Sequence, residues 1–470
     1  MKLYSGTNKY KLYQGNMLDM LQVIAPNSVD SIVTDPPYEL NFMGKGWDNS
    51  GIAFQKETWR NCYEVLKPGG YLLAFGGSRT FHRIACAIED AGFEIRDTIM
   101  WIYGSGFPKS MNIGLAIDKK NGVESPVVGE SNRGAGASPQ KLDNHAKGDT
   151  GIGMFDGSGK TFEVKESQNE WKGWGTCLKP AFEPIIIARK PFNGSLVDNV
   201  LTYGVGGLNI GECRVPSNPG EYDIRHYTNE DCFQNSKPKE SKFQVKPQPD
   251  GRFPANVILT YDETDYDEVC GGFPVTVGGG KVEVKGSYGY CFEDGKRDSK
   301  PMADGYSDSG SASRYFYCAK ASKKDRDGGL DEFEERQIYS LDNKHRFNYK
   351  NTDINNLGDK ILNIIRKNTH PTVKPCDLMQ YLVRLVTPNG GTVLDPFNGS
   401  GSTGKATMYE NVEKNKGYKY IGIELTEEYL PISKARIEYA MNSTTEQCDV
   451  VTEKVGEKCV ETKVAVSDLW

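Results

Sequence analysis

The sequence predicts an α/β fold built on a mostly parallel sheet, and three observations carry that prediction. Short apolar stretches alternate with longer stretches of helical period, and Gly or Pro closes most of them. Chemically distinctive segments stand at the carboxyl ends of the strand-like stretches, where open α/β sheets bind ligands. The pattern fills both ends of the 470-residue chain and lapses in between.

Residues 10–14 (YKLYQ) read as a strand ending at Gly15, and residues 29–34 (VDSIVT) as a second, running into Asp35-Pro36-Pro37-Tyr38. Residues 56–66 are helix-like and stop at Lys67-Pro68-Gly69-Gly70, the Pro/Gly terminator expected after a helix. A third strand, 71–75 (YLLAF), ends at Gly76-Gly77, and a helix over 80–91 ends at Gly92. Residues 98–103 and 184–189 are two more β-rich stretches. Residues 376–387 resume the pattern as a helix with Leu378, Met379, Leu382 and Leu385 on one face. Strand TVLDP, a Gly-rich loop, a helix from about Ser402, strand YIGIEL and helix EEYLPISKARIEYA follow.

Residues 106–175 and 191–367 are rich in Gly, Ser, Asn and charge, too long for structureless loops inside a compact domain. The chain therefore divides into 1–110 and 368–443 as two halves of one domain, 111–175 as an inserted loop and 176–190 as a late strand. Residues 191–367 form a separate module, and the polar 444–470 a flexible tail.

Composition narrows the class. The chain is 37% hydrophobic and 26% charged, with no run of about eighteen apolar residues, so no membrane span is expected. Its start, MKLYSGTNKYKLY, has no apolar signal stretch, and its eleven Cys at irregular spacings suggest reduced thiols and a cytoplasmic setting. Cys213, Cys232, Cys270 and Cys291 match no zinc spacing, and no metal is expected. A net charge of −6 argues against a uniformly basic coat but leaves room for a local basic cleft. Lys320, Lys323, Lys324 and Arg326 form one basic cluster, which suits either solvated loop charge or phosphate contact.

Asp35-Pro36-Pro37-Tyr38 is the first segment with chemistry. Two prolines stiffen the turn and remove two N–H donors, leaving carbonyl oxygens, one carboxylate and an aromatic face. That set suits an exocyclic amine on a planar ring: the carboxylate and a carbonyl each accept one N–H, and Tyr38 stacks on the ring. The second segment, Gly399 to Ala406, reads G-x-x-x-x-G-K-A. A phosphate-binding loop would end in Ser or Thr to hold Mg²⁺, and Ala406 has no oxygen, so ATP binding is disfavoured.

Taken together, these segments resemble the amino-group DNA methyltransferases that use S-adenosylmethionine. DPPY matches the family's catalytic motif for adenine N6, with SPPY commoner among cytosine-N4 enzymes. His370-Pro371-Thr372-Val373-Lys374-Pro375 resembles its HPTxKP segment, Asp395 to Gly401 its DPFxGxG cofactor loop, and Glu424 the acidic residue ending the next strand. With DPPY first and the Gly-rich loop last, the order is that of the circularly permuted β class. The resemblance covers about half the chain: residues 10–110, 176–190 and 368–440.

The resemblance implies a Rossmann-like methyltransferase fold, with a mixed, mostly parallel seven-stranded sheet and an inserted target-recognition module. It implies Asp35, Pro36, Pro37 and Tyr38 as catalytic residues acting on a flipped base in duplex DNA, without a covalent intermediate. Asn16, Thr372, Lys374, Asp395, Phe397, Gly399, Gly401 and Glu424 would hold the methyl donor. Asp395 would face its ammonium and Glu424 its ribose hydroxyls, while the two glycines let the backbone approach it closely. Lys405 would be a solvated lysine on the following helix. Relatives usually have Gly-Asp where this chain has Gly15-Asn16, so its cofactor affinity is expected to be weaker. Cytosine N4 is the rival target, the partner is duplex DNA with or without a cognate restriction endonuclease, and the chain is expected to be a monomer or homodimer. Sequence recognition would lie in 191–367, where Arg314-Tyr315-Phe316-Tyr317 and Arg346-Phe347-Asn348-Tyr349 pair aromatic with basic side chains.

Overall fold

Strand-forming segments from both ends of the chain assemble into one sheet. The computed structural model describes residues 2–40, 46–103, 110–131, 162–215, 251–260, 275–276, 310–311, 316–318, 323–334, 336–341 and 361–443. Ten strands make the main sheet: β1 (Lys2–Gly6), β2 (Tyr10–Gln14), β3 (Val29–Thr34), β4 (Leu66–Phe75), β5 (Glu94–Tyr103), β6 (Phe182–Arg189), β7 (Val257–Thr260), β8 (Tyr317–Cys318), β9 (Thr392–Asp395) and β10 (Lys419–Glu424). Their order across the sheet is β1-β2-β10-β9-β3-β4-β6-β5-β7-β8.

The stretch from β2 to β5 in that order is the expected seven-stranded sheet, parallel throughout except for β6, which runs against both β4 and β5. Beyond it, β1 adds an antiparallel edge, and β7 and β8 extend the other edge in parallel. Both of those last strands come from the 191–367 stretch, so part of that stretch is built into the catalytic sheet.

β9 and β10 insert between β2 and β3, which is how residues nearly four hundred positions apart become neighbours. The register sets Val393 beside Ser31 and Glu424 beside Gln14. All six residues of β3 are buried, as for a central parallel strand covered on both faces. Its Asp30 is satisfied by Lys67 Nζ at 2.6 Å and the Thr392 backbone N–H at 2.7 Å, so this buried carboxylate ties β3 to both neighbours.

Alternation along the strands splits the core between the two faces. Tyr71, Leu73 and Phe75 pack with helix α7 (Cys376–Val386), α8 (Ser402–Lys414) and α9 (Leu430–Asn442). Leu72 and Ala74 face α1 (Met17–Leu21), α2 (Lys56–Val65) and α3 (Phe81–Asp90). Three further described helices are α4 (Ile113–Lys120), α5 (Leu196–Tyr203) and α6 (Lys323–Asp327).

Two local expectations change. Lys67-Pro68-Gly69-Gly70 does not separate α2 from β4; it is the first half of β4, which starts at Leu66. Gly69 has a φ of +81°, and an added Cβ there would overlap the Asn199 amide, which donates to Pro68 O and Val205 O. The Pro/Gly run thus shapes an irregular strand under α5, with the register slipping opposite it in β3.

Lys405 is not solvated: it is only 2% exposed. Its ammonium donates to the backbone carbonyl of Asp325 at 3.0 Å and to the side chain at 3.1 Å, so α6 neutralises a lysine that faces inward from α8. The aromatic runs at 314–315 and 346–349, Lys320, Cys232, Cys270, Cys291 and the tail from 444 lie outside the described residues.

Candidate active site

Parallel strands bring their carboxyl ends to one edge of a sheet. Here Gly15-Asn16 follows β2, Asp35 follows β3, Gly76 follows β4, Pro396 follows β9, and Glu424 closes β10. Because β6 runs the opposite way, it delivers its amino-terminal residues, Phe182 and Glu183, to that same edge. A cavity of about 1100 Å³ opens there. That is room for two ligands of moderate size. Eleven of the twelve residues singled out from the sequence line it, and Gly401 is the exception.

The DPPY turn forms one wall. Asp48 pins its exit by accepting the backbone N–H groups of Glu39 at 2.9 Å and Leu40 at 3.2 Å. This lets Glu39 hold a left-handed φ of +54°. Thr80 Oγ1 donates to Tyr38 O at 2.8 Å, and the Tyr38 hydroxyl donates to Glu183 Oε2 at 2.6 Å. Asp35 Oδ2 is held by Lys374 Nζ at 2.6 Å, whereas Asp35 Oδ1 is buried in the cavity wall without a hydrogen-bond partner. Pro36 and Pro37 carry no N–H that could fill it. A buried carboxylate oxygen with no donor is costly unless a ligand supplies one.

Lys374 therefore sits at the DPPY end rather than with the Gly-rich loop. Its Nζ is also 3.6 Å from Glu183 Oε2 and lies over the rings of Tyr38 and Phe75 at 5.3 and 4.9 Å. Burial alone would lower its pKa, but the Asp35 and Glu183 carboxylates hold it above the ordinary lysine value. Desolvation and the same two carboxylates push the Tyr38 hydroxyl well up, so it stays a donor. Tyr103 donates to Glu183 Oε1 at 3.2 Å.

The Gly-rich loop forms the opposite wall and is held from within. Asp395 is 2% exposed and accepts from Thr34 Oγ1 at 2.7 Å, Phe397 N at 3.1 Å and Thr403 Oγ1 at 2.7 Å. Burial raises its pKa to about 6 against those lowering bonds. Its visible work is to fix the loop between β9 and α8, and any ligand ammonium would share it with these donors.

Glu424 accepts the backbone N–H groups of Gly399 at 2.6 Å and Thr426 at 2.8 Å, and burial pushes its pKa up to about 7. Phe397 lines the cavity and packs near Trp59, with ring centroids 6.4 Å apart. Asn16 Oδ1 accepts Leu18 N at 3.0 Å, so this side chain caps α1 as well as facing the cavity.

The two glycines are required by packing inside the protein. Gly399 has a φ of +51°, and an added Cβ would come within 2.8 Å of His370 Nε2. Gly401, at +76°, backs onto Ser433 instead of the cavity. That differs from the expectation that both approach a ligand.

His370 Nδ1 lies 2.7 Å from Thr372 O and 3.3 Å from Thr372 N, which ties the ring to the Thr372 backbone. Burial lowers the His370 pKa to about 3, so the ring is neutral. Thr372 thus contributes a backbone carbonyl to the turn that aims Lys374.

Sequence reasoning did not single out Glu183, Thr34, Thr403 or Tyr103, and it named His370 only as the start of the HPTVKP segment. Glu183 stood in a plain strand-edge context (AFEPIII), and its signal, a charged residue entering an apolar strand, is weak on its own. Among the described residues no group of three or more His, Cys, Asp or Glu could hold a metal ion, and no helix is long and apolar enough to cross a membrane.

Known proteins resemble parts of this chain. The chain is 33% identical over 109 residues to the type II methyltransferase M.HpaI of Haemophilus parainfluenzae, covering 21% of this chain and 34% of that one. It is 43% identical over 75 residues to the type II methyltransferase M2.DpnII of Streptococcus pneumoniae, covering 16% and 25%. The matches thus span a third or less of these two relatives. Among solved structures, the PvuII DNA methyltransferase (cytosine-N4-specific) aligns over 96% of this chain and 94% of its own at 12% identity, with a TM-score of 0.40. The sequence model of the N6/N4 DNA methylases, described as "DNA methylase", matches residues 29–435. That span runs from the strand before DPPY to the helix after Glu424, and on it the chain belongs to the N6/N4 amino-group DNA methylase family.

Proposed function

We propose that the protein transfers a methyl group from S-adenosylmethionine to the exocyclic N6 amine of an adenine flipped out of duplex DNA. The observation that carries this reading is the unpartnered Asp35 Oδ1 in a turn whose Pro36, Pro37 and Tyr38 line the same cavity. An aromatic amine offers two N–H donors and a flat face, and this wall offers the complement. DPPY, where cytosine-N4 relatives more often carry SPPY, favours adenine. Cytosine N4 presents the same amine and is the second reading.

The chain's own groups do the following. Asp35 and a carbonyl at Pro36 accept the two amine N–H bonds, which favours pyramidal nitrogen and stabilises the positive charge developing there. Lys374 orients Asp35 by occupying Oδ2, which leaves Oδ1 without a protein partner. Tyr38 stacks on the base and replaces part of the stacking lost on flipping, worth roughly 1–3 kcal/mol. Holding amine and methyl donor in line supplies on the order of 7–11 kcal/mol in well-aligned systems. S-adenosylmethionine supplies the activated methyl on a sulfonium; the residues placed to hold it are Asn16, Phe397, Gly399 and Glu424, with Asp395 shaping their loop. We place sequence recognition in 191–367. One support is that Arg326 in that stretch donates to the His370 carbonyl at 2.8 Å, which links the stretch to the HPTVKP turn.

Glu424 makes the reading pH-dependent. Ribose hydroxyls donate best to the ionised carboxylate, and this group is protonated below a pKa of about 7. Cofactor affinity is therefore expected to fall by roughly tenfold from pH 8 to pH 6. Calorimetry across that range checks it: Glu424→Gln should bind more weakly at pH 8 and lose the slope.

The reaction itself is tested with methyl-tritiated S-adenosylmethionine and duplex DNA, followed by digestion to nucleosides. Label in N6-methyladenine supports the proposal, label in N4-methylcytosine replaces it with the second reading, and no label with any duplex overturns both.

A further inference from the structure

Asp35 and Lys374 pose an electrostatic problem. Methyl transfer moves a positive charge from sulfur onto the acceptor nitrogen, so negative charge beside that nitrogen lowers the barrier. Yet Asp35, the group that should supply it, has an ammonium 2.6 Å from one of its oxygens. In a cavity wall where the lysine side chain is 8% exposed, that cation cancels much of the field of the carboxylate.

The third member of the cluster resolves it. Glu183 Oε2 lies 3.6 Å from the same ammonium, and its side chain is 20% exposed. Two carboxylates thus share one cation, which leaves one excess negative charge at the acceptor end of the cavity. The other close partners of Glu183, the hydroxyls of Tyr38 and Tyr103, are neutral donors because burial raises both phenols.

Neither Asp35 nor Lys374 could bring this charge, since each is consumed by the other. It comes from β6, the strand that runs against both β4 and β5 and so brings its amino end to this edge. Glu183 also keeps the lysine protonated, so that Lys374 orients Asp35 and is not available to remove a proton from the amine.

We propose that Glu183 is a positioning residue for methyl transfer: it draws the Lys374 charge away from Asp35 and keeps the acceptor end of the site net negative. It does not touch the base; it acts through Lys374. This rests on the proposed methyl transfer to an exocyclic amine.

The test is a charge cycle on the full chain with methyl-tritiated S-adenosylmethionine and duplex DNA. Glu183→Gln removes the charge and keeps one acceptor oxygen, enough for the short Tyr38 bond at 2.6 Å but not also for the longer Tyr103 bond at 3.2 Å. It is expected to lower kcat roughly ten- to a hundredfold while KM for DNA and Kd for the cofactor stay within about threefold. In a Lys374→Gln background the same substitution should cost less than about threefold, because no cation remains to be balanced. Glu183→Asp, which keeps the charge, should recover most of the loss.

Unchanged kcat in Glu183→Gln overturns the proposal. So does an equal loss in both backgrounds, which marks a structural role, or a Glu183→Asp variant as impaired as Glu183→Gln. Cofactor binding by calorimetry identifies any variant that fails to fold, and the Asp variant then decides. Wild-type protein that labels no DNA overturns the methyltransferase reading itself, a result distinct from an active wild type with an indifferent Glu183.

Discussion

Asp35→Ala is expected to lower kcat for methyl transfer by about 10³-fold, or about 4 kcal/mol in the barrier, while cofactor affinity changes by less than about threefold. The size follows from what the side chain does alone. Its Oδ1 is the unpartnered acceptor in the wall, and the carbonyl at Pro36 that remains can accept only one of the two amine N–H bonds and carries no formal charge. The cofactor side is spared because Glu424 and Asp395 take their hydrogen bonds from the Gly-rich loop, Thr34, Thr403 and Thr426, none from Asp35.

Asp35→Asn should be nearly as damaging. Lys374 would claim the one amide oxygen and turn the NH₂ toward the substrate amine, donor against donor. Single-turnover transfer of tritium measures kcat without product release, and calorimetry measures the cofactor. An alanine variant that keeps more than about a tenth of wild-type kcat would remove Asp35 from the acceptor role.

Glu410→Ala is expected to destabilise the fold by about 3–5 kcal/mol. Glu410 is fully buried on α8, and Arg384 on α7 reaches it through two bonds, Nε at 3.0 Å and Nη2 at 2.5 Å. Gln380 adds a third contact at 3.3 Å. Burial opposes the arginine charge, but the Glu410 carboxylate raises its pKa overall, so removing the acid leaves a cation stranded between two helices.

The pair matters to the site because α7 follows the HPTVKP turn and α8 follows the Gly-rich loop, so it clamps the bases of both walls. Thermal unfolding should show Tm falling by roughly 10 °C, and urea unfolding should show a lower midpoint at unchanged slope. A loss under about 1 kcal/mol would mean that Arg384 finds water or another acceptor when Glu410 is gone.

Much of the fold was legible because its signals are local. The alternation of buried strand and amphipathic helix, the Gly and Pro stops, and DPPY and DPFNGSG at strand ends all lie within a few residues of one another. From them follow the seven central strands and twelve candidate site residues, eleven of which line the cavity. Where local signals misled, a distant partner was the cause. Pro68-Gly69-Gly70 reads as a helix stop, yet Asn199 packs on it and makes it a strand. Lys405 reads as a surface lysine, yet Asp325, eighty positions away, meets its ammonium.

The sequence alone carried the signals of the chemistry: a carboxylate and two prolines on one turn, a Gly-rich loop on another, and the family that pairs them. Only the tertiary structure decided how the charges are shared. Lys374 stands beside Asp35 and not the Gly-rich loop, and Glu183 reaches Lys374 because β6 enters the sheet in reverse. Periodicity and motif spacing record which face a residue takes within its own element. Which cation meets which carboxylate depends on strand order and direction, and here that order joins segments hundreds of residues apart.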